Sequence, residues 1–441
     1  MSKVWDLGED PEVILAERRY EAIGKILETA VRKEAEKKTT FTDMLDHVFL
    51  HKLLGIPIFL ALLWAVFQFT FAFSEPFMVG IERSFGWLGG LAAAGLAANH
   101  PHLASFVADG IFGGLGSVLV FVPPIFLLFL ALAVLEGSGY LARAAFVMDR
   151  IMYKLGLHGR SFIPMMCGFG CNIPAIMATR SIENEKDRMI TILVNPLISC
   201  GARLPVYVLI SGVVFGFGSG AAGTAVFSMY VLGIVLAIVM ALVFRRTLFK
   251  GRPAPFVLEL PRYAVPTAKS AVLHMWERGK WFLIRAGTVI FAVVVVIWFL
   301  SVHPWAATEG GEIIEASYVA ALGHFIEPVF APFGWDWRAG VAIIFGFLAK
   351  EVVVATYALL LGTGEEAVGD ALVSAGVFTP LTGLAFMAFV LIYVPCVATI
   401  GAIWRETNSL KWTVFSMAYL TVLAFVVAGL ILGVGRLLGF S

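Results

Sequence analysis

Apolar residues fall along this chain in long unbroken blocks rather than in the one-sided stripes of a soluble fold. The blocks lie at 53–73, 116–135, 189–215, 226–244, 284–300, 381–404 and 414–434. Each is of the length needed to cross ~30 Å of hydrocarbon as a helix. Two further apolar blocks, 162–178 and 339–361, are interrupted by Gly168-Phe169 and Gly346-Phe347. An Arg precedes each of these (Arg160, Arg338), and polar groups follow each interruption: Cys171 and Asn172 in the first, Lys350 and Glu351 in the second. The pattern predicts an all-α polytopic membrane protein made of two related halves, 116–245 and 284–436, each with a broken, re-entrant helix. A shorter echo agrees: Val226-Phe227-Ser228-Met229 and Val414-Phe415-Ser416-Met417 open the last span of each half. Gly- or Pro-broken apolar segments at matching places in two halves mark a repeat-built transporter with its substrate at the breaks.

The polar segments set the orientation. Lys and Arg gather in 1–52, 143–160 and 245–285, whereas 74–115, 216–225 and 303–337 carry almost none, Arg83 being the exception. The positive-inside rule places the first set in the cytosol and the second outside. The first broken segment lies between Arg160 and the group Arg180, Lys186, Arg188, so it dips in from the cytosol. The second lies between two cation-poor segments and dips in from outside. Seven spans, two oppositely inserted re-entrant segments, a cytosolic N-terminus and an external C-terminus follow, with the halves in inverted topology. In 1–52, Asp10-Pro11-Glu12 reads as a helix start. Tyr20, Ile23, Leu27 and Ala30 then recur at helical spacing, an apolar stripe suited to docking a partner domain. The organisation expected is 1–52 cytosolic linker helix and approach to the membrane, 53–115 first span and external segment, 116–250 first repeat, 251–283 cytosolic connector, and 284–441 second repeat.

Of 441 residues, 59% are hydrophobic and 14% charged, which excludes a soluble globular domain. The net charge of +1 gives no reason to expect a nucleic-acid partner. The hydrophilic start MSKVWDLGEDPEVILAERR reads as no secretory leader.

Chemistry concentrates at the breaks. The cysteines Cys167, Cys171, Cys200 and Cys396 all lie in apolar segments, unlike a disulfide framework in a loop-rich secreted domain. Cys200 sits in NPLISCGARLP at 195–205 and Cys396 in YVPCVAT at 393–399. Proline breaks the hydrogen-bond ladder there and frees carbonyls toward a ligand, or else kinks a span for packing. Thiols beside amide or carbonyl oxygens suit Fe²⁺, Zn²⁺, Co²⁺ or Cu⁺ better than Mg²⁺ or Ca²⁺. The plainer reading is buried thiols acting as small hydrophobes. The candidate metal-handling residues are Cys171, Cys200, Cys396, Asn172 and Glu136. Glu136 ends the second span before Gly137-Ser138-Gly139, as a relay or as an interfacial carboxylate. Charge at bilayer depth is expensive, so Lys350, Glu351 and Arg203 are candidate gating residues. The alternative for Lys350-Glu351 is a structural buried ion pair. No G-x-x-x-x-G-K-[ST] run occurs, and Asn184-Glu185-Lys186-Asp187 reads as a solvated turn, so a transporter rather than an enzyme is expected, with no nucleotide bound by this chain.

The run EGSGYLARAAFVMDRIMYKLGLHGRSFIPMMCGFGCNIPAIMATRSIENEKDR at 136–188 closely resembles the membrane part of the ferrous iron transport protein B family. So do NPLISCGARLPVY at 195–207, GFLAKEVVVAT at 346–356, YVPCVATIGAIWRE at 393–406, and FTDMLDHVFLHKLLGIPIF at 41–59. The resemblance implies a multi-pass importer of the prokaryotic inner membrane with Fe²⁺ as its transported substrate. It also implies two Gate-type repeats, distantly similar to nucleoside-transporter folds. It carries iron handling onto Cys171, Cys200 and Cys396 and sets Lys350-Glu351 in a family motif. Such proteins usually begin with a GTP-binding domain and a helical regulatory domain. Residues 11–38 resemble only the last helix of that region. A GTPase on another polypeptide, or one removed from this chain, is therefore expected, with a small cytosolic Feo-type partner and a homo-oligomer both compatible. The competing readings are another divalent metal, a small organic solute such as a nucleoside, or a non-transporting scaffold. The breaks offer thiols rather than the aromatics and carboxylates an organic solute would want. A scaffold would not need Lys350, Glu351 and Arg203 at depth.

Overall fold

The computed structural model describes residues 41–51, 54–96, 101–120, 122–154, 159–250, 263–303, 317–361 and 367–439, with a few isolated positions besides. The N-terminal helix expected over 11–38 lies almost wholly outside the described residues. The chain divides into Met1–His47, whose described part is mainly the start of α1 (Phe41–Phe49), and Val48–Ser441, which carries the features below. Among the described residues there is no strand.

Helix α2 (Gly55–Leu96) runs for 42 residues without interruption. The segment after Phe73, expected as an external loop, is therefore helical. Its scarcity of Lys and Arg resembles a loop's, but it lacks the clustered turn residues that stop a helix, and its one proline, Pro76, removes a single hydrogen bond. Helices α3 (Val122–Gly137) and α4 (Tyr140–Lys154) meet at 77°. Gly139 makes the corner at φ 78°, a conformation glycine adopts without a Cβ clash.

The first half continues with α5 (Phe162–Gly170), α6 (Asn172–Ala178), α7 (Glu185–Val194), α8 (Leu204–Phe215) and α9 (Gly220–Thr247). The second contains α10 (Ala268–Val302), α11 (Tyr318–Phe330), α12 (Trp337–Gly346), α13 (Val352–Leu360), α14 (Val368–Ala375), α15 (Pro380–Ile392), α16 (Val397–Thr407) and α17 (Leu410–Leu437). The halves share an order of parts. A broken pair (α5/α6, α12/α13) leads to a span broken at proline (α7/α8, α15/α16), then to a long helix (α9, α17). By length and composition, five helices among the described residues can cross a membrane, or six if α3 and α4 count as one bent span.

Helix α15 forms the centre, with Phe386, Phe389 and Leu391 all buried. Helix α9 approaches the broken span of its own half closely: a Cβ on Gly233 would sit 2.7 Å from the Leu197 carbonyl. Small residues that let backbones approach are how helices associate where lipid removes the hydrophobic drive.

The first interruption falls at Cys171, not at Gly168-Phe169. Helix α5 passes through both residues, and Cys171 alone is extended, at φ −152° and ψ 130°. Gly168 serves packing instead, since a Cβ there would lie 3.0 Å from Asn195 Oδ1. In the second half the break does follow Gly346 directly. The run 184–187 is a helix start rather than a free turn: Asn184 Oδ1 accepts from the Lys186 and Asp187 amides at 3.0 and 3.1 Å. Asp187 is fully buried against Arg245.

Candidate functional site

Breaks from both halves meet around one cavity of about 440 Å³. Its lining includes Cys171, Cys200 and Cys396 together with Asn172, Arg203, Lys350 and Glu351. Seven of the eight residues singled out in the sequence thus share one space. Each thiol sits where a helix begins: Cys171 before α6, Cys200 before the turn Gly201–Arg203 that leads into α8, and Cys396 before α16. Backbone that leaves the helical ladder at membrane depth must line a cavity or be buried in protein, and these three positions line one. Cys396 Sγ lies 3.1 Å from Thr399 Oγ1, and Asn195 Nδ2 reaches Asn172 Oδ1 at 3.4 Å.

The two buried cations have a definite structural task. Arg203, 1% exposed, donates from Nη2 to the Pro196 carbonyl and from Nη1 to the Ile198 carbonyl, both at 2.9 Å. Lys350, 2% exposed, donates to the Val394 carbonyl at 2.8 Å and stands 3.0 Å from the centre of the Tyr393 ring. Each proline-broken span therefore has carbonyls held by a cation, Arg203 in the first half and Lys350 in the second. This removes one alternative and corrects one expectation. Among the described residues no ion pair joins Lys350 to Glu351, because the ammonium is engaged at residues 393–394. The carbonyls of Pro196, Ile198 and Val394, freed at the breaks, are spoken for by protein.

Glu136 does not join the thiols. It lines a second cavity, of about 700 Å³, with Cys167, Met177 and Arg180. Among the described residues no group of three or more His, Cys, Asp and Glu side chains is gathered tightly enough to hold a metal ion. The central cavity thus presents its thiols separately around a space, not as a closed ligand cage.

Three contributors were missed in the sequence. Thr399 and Tyr393 flank Cys396 within the quoted motif, one beside the thiol and one beneath Lys350. Glu406, whose side chain is 2% exposed, ties the halves together. Arg180 Nε donates to its Oε2 at 2.8 Å, and Arg188 Nη2 to the same oxygen at 3.1 Å. A carboxylate ending a helix that begins at Pro-Cys, in a chain with two arginines just past the first re-entrant segment, was the available signal.

The Gate family model, described as nucleoside recognition, matches residues 118–214 and 283–410. The model described as ferrous iron transport protein B C terminus matches 226–278. A protein of Methanocaldococcus jannaschii named Fe(2+) transporter FeoB is 45% identical over 97% of this chain and 64% of its own length. The chain belongs to the FeoB family, in its Gate-containing membrane part. Further FeoB relatives agree. The Fe(2+) transport protein A/Fe(2+) transporter FeoB fusion protein of Porphyromonas gingivalis is 39% identical over 98% of this chain and 56% of its own length. The Fe(2+) transporter FeoB of Staphylococcus aureus strain COL is 42% identical over 95% and 63%. The chain thus spans roughly three fifths of the length of these FeoB proteins. No solved structure matches it. The Gate match ends at residue 410, so it takes in Cys171, Cys200, Cys396 and the Arg180–Arg188–Glu406 tie.

Proposed function

We propose that this chain is the permease part of a ferrous-iron uptake system in a prokaryotic inner membrane. The observation that carries the reading is the convergence of Cys171, Cys200 and Cys396, from both halves, on one cavity at the helix breaks. An entering Fe²⁺ sheds part of its water there and exchanges it for thiolate sulfur, with the Thr399 hydroxyl, the Asn172 amide and the Glu351 carboxylate beside it. Binding must be firm enough to admit the ion and loose enough to release it, which suits donors spread around a space. Arg203 and Lys350 occupy the nearby carbonyls, so the donors left to a metal are weighted toward sulfur, and soft or borderline ions are favoured over Mg²⁺ and Ca²⁺.

The halves are taken to be inverted repeats, with the Arg-rich end that holds Arg160, Arg180, Arg188 and Arg405 in the cytosol. The apolar stripe at 20–30 of the sequence, and the GTP-binding domain with which such proteins usually begin, support coupling to a GTPase domain that docks on the cytosolic side. The test is Fe²⁺ uptake into proteoliposomes under reducing conditions. The chain should raise uptake above empty liposomes, and replacing Cys171, Cys200 and Cys396 together by Ser should abolish the increment. Near-normal uptake by that triple variant would reduce the thiols to core packing.

A further inference from the structure

Two cavities adjoin helix α6, and among the described residues Ile173 alone lines both. The side chain is 4% exposed and packs with Ile176, Ile192, Ala402 and Ile403. Helix α6 has seven residues, about 10 Å of rise. It starts at the extended residue Cys171 and ends at the turn Thr179–Ser181, where Arg180 holds Glu406 of the second half. The central cavity with the thiols lies at the first end. The second cavity, lined by Glu136, Cys167, Arg180, Glu277 and Arg405, follows the helix from Ile173 to the turn at the other end.

We propose that the second cavity is the exit chamber through which the divalent cation leaves for the cytosol, and that Ile173 is the apolar barrier between it and the central cavity. The inference rests on the proposed function and adds to it a route and a barrier. An apolar constriction stops a hydrated ion because water does not wet it and the ion finds nothing there to replace its shell. Ile173, set among isoleucines and alanines, is such a constriction. Beyond it the carboxylates and guanidinium groups keep the chamber wet, so a cation that has left the thiols regains water at once. Helix α6 is the moving part. Its one extended joint is at Cys171, and its far end is fastened to Glu406, so passage requires Ile173 to swing out of the cluster about Cys171.

The chain carries its own reporters, Cys171 in the central cavity and Cys167 in the chamber. Inverted membrane vesicles expose the cytosolic face to a membrane-impermeant maleimide, and mass spectrometry reads modification at each cysteine over time. Cys167 should react and Cys171 should stay protected. Ile173→Ala should raise the rate at Cys171 by an order of magnitude or more while leaving Cys167 unchanged, and Ile173→Leu should behave as the parent. Should Ile173→Ala not fold, Ile173→Val, one methylene smaller, must give the same difference at lower amplitude. Cys171 reacting as fast as Cys167 in the parent would remove the barrier. A protected Cys171 in the Ala or Val variant, with Cys167 reacting normally, would remove Ile173 from the role. Labelling uses no iron, so either failure leaves the uptake reading standing. Lost uptake with the labelling pattern intact would sink that reading and the exit route with it, and leave Ile173 only as a barrier between the two cavities.

Discussion

The Lys350 ammonium donates to the Val394 carbonyl at 2.8 Å, across 44 residues of sequence. Val394 lies in the non-helical stretch between α15, which ends at Ile392, and α16, which starts at Val397, and a side chain from the other broken element closes its carbonyl. Lys350→Met should therefore cost about 1–3 kcal/mol through an orphaned buried carbonyl. Glu351→Gln, which touches no ion pair with Lys350, should change stability by much less. Thermal unfolding of the detergent-solubilised chain compares them; equal losses would restore the ion-pair picture.

Single thiol replacements should rank by cavity. Cys171→Ser, Cys200→Ser and Cys396→Ser should each lower Fe²⁺ uptake strongly. Cys167→Ser, which lines the other cavity, should lower it little. Initial uptake rates in proteoliposomes, normalised to folded protein, give the order. A Cys167→Ser loss as large as that of Cys171→Ser would contradict it.

Metal ligation by sulfur requires the deprotonated form, so protons compete with the ion. Fe²⁺ affinity should fall as pH falls, and the fall should be lost in the triple Ser variant. Equilibrium titrations under reducing conditions at several pH values measure this. A pH dependence that survives removal of all three thiols would point to Glu351 instead.

The buried pair Asp187–Arg245 fastens α7 to α9. Removing one partner of a buried pair is expected to cost about 3–5 kcal/mol. Asp187→Ala should approach that figure, whereas Lys186→Ala, which gives up an exposed hydrogen bond to the Lys250 carbonyl, should cost under about 1 kcal/mol. Chemical or thermal denaturation in detergent reads the difference.

Orientation has its own test. A cysteine introduced as Ser441→Cys should react with an impermeant thiol reagent in intact cells. Protection that disappears on lysis would put the C-terminus inside and make 339–361 a full span.

What the sequence made legible follows from how local each signal is. Proline, glycine and cysteine at 195–205 and 393–399 are local statements about backbone, and the spans do break there. The grouping of Cys171, Cys200 and Cys396 was inferred from their shared position at breaks, and the fold places them on one cavity. Gly168-Phe169 misled because a glycine that admits Asn195 looks, in sequence, like a glycine that ends a helix. The ion-pair alternative for Lys350 and Glu351 fails because the partner of Lys350 lies 44 residues away, a contact that leaves no trace in spacing. Glu136 resembles a ligand by type, but it ends α3 beside the second cavity rather than the one that Cys171, Cys200 and Cys396 line. The helical run beyond Phe73 was hidden because a lack of cations describes a side of the membrane, not a conformation.

The grip of Arg180 and Arg188 on Glu406 joins residues 226 and 218 positions apart. A ribosome feeding this chain into the membrane makes both arginines long before it makes their carboxylate. During synthesis the first half must therefore wait with its two cations served by water or lipid headgroups, and it closes only when the second half has been inserted. Chains stopped short of residue 406 should linger as open, protease-sensitive halves, because domains of a nascent chain settle in order of emergence and this tie belongs to neither half alone.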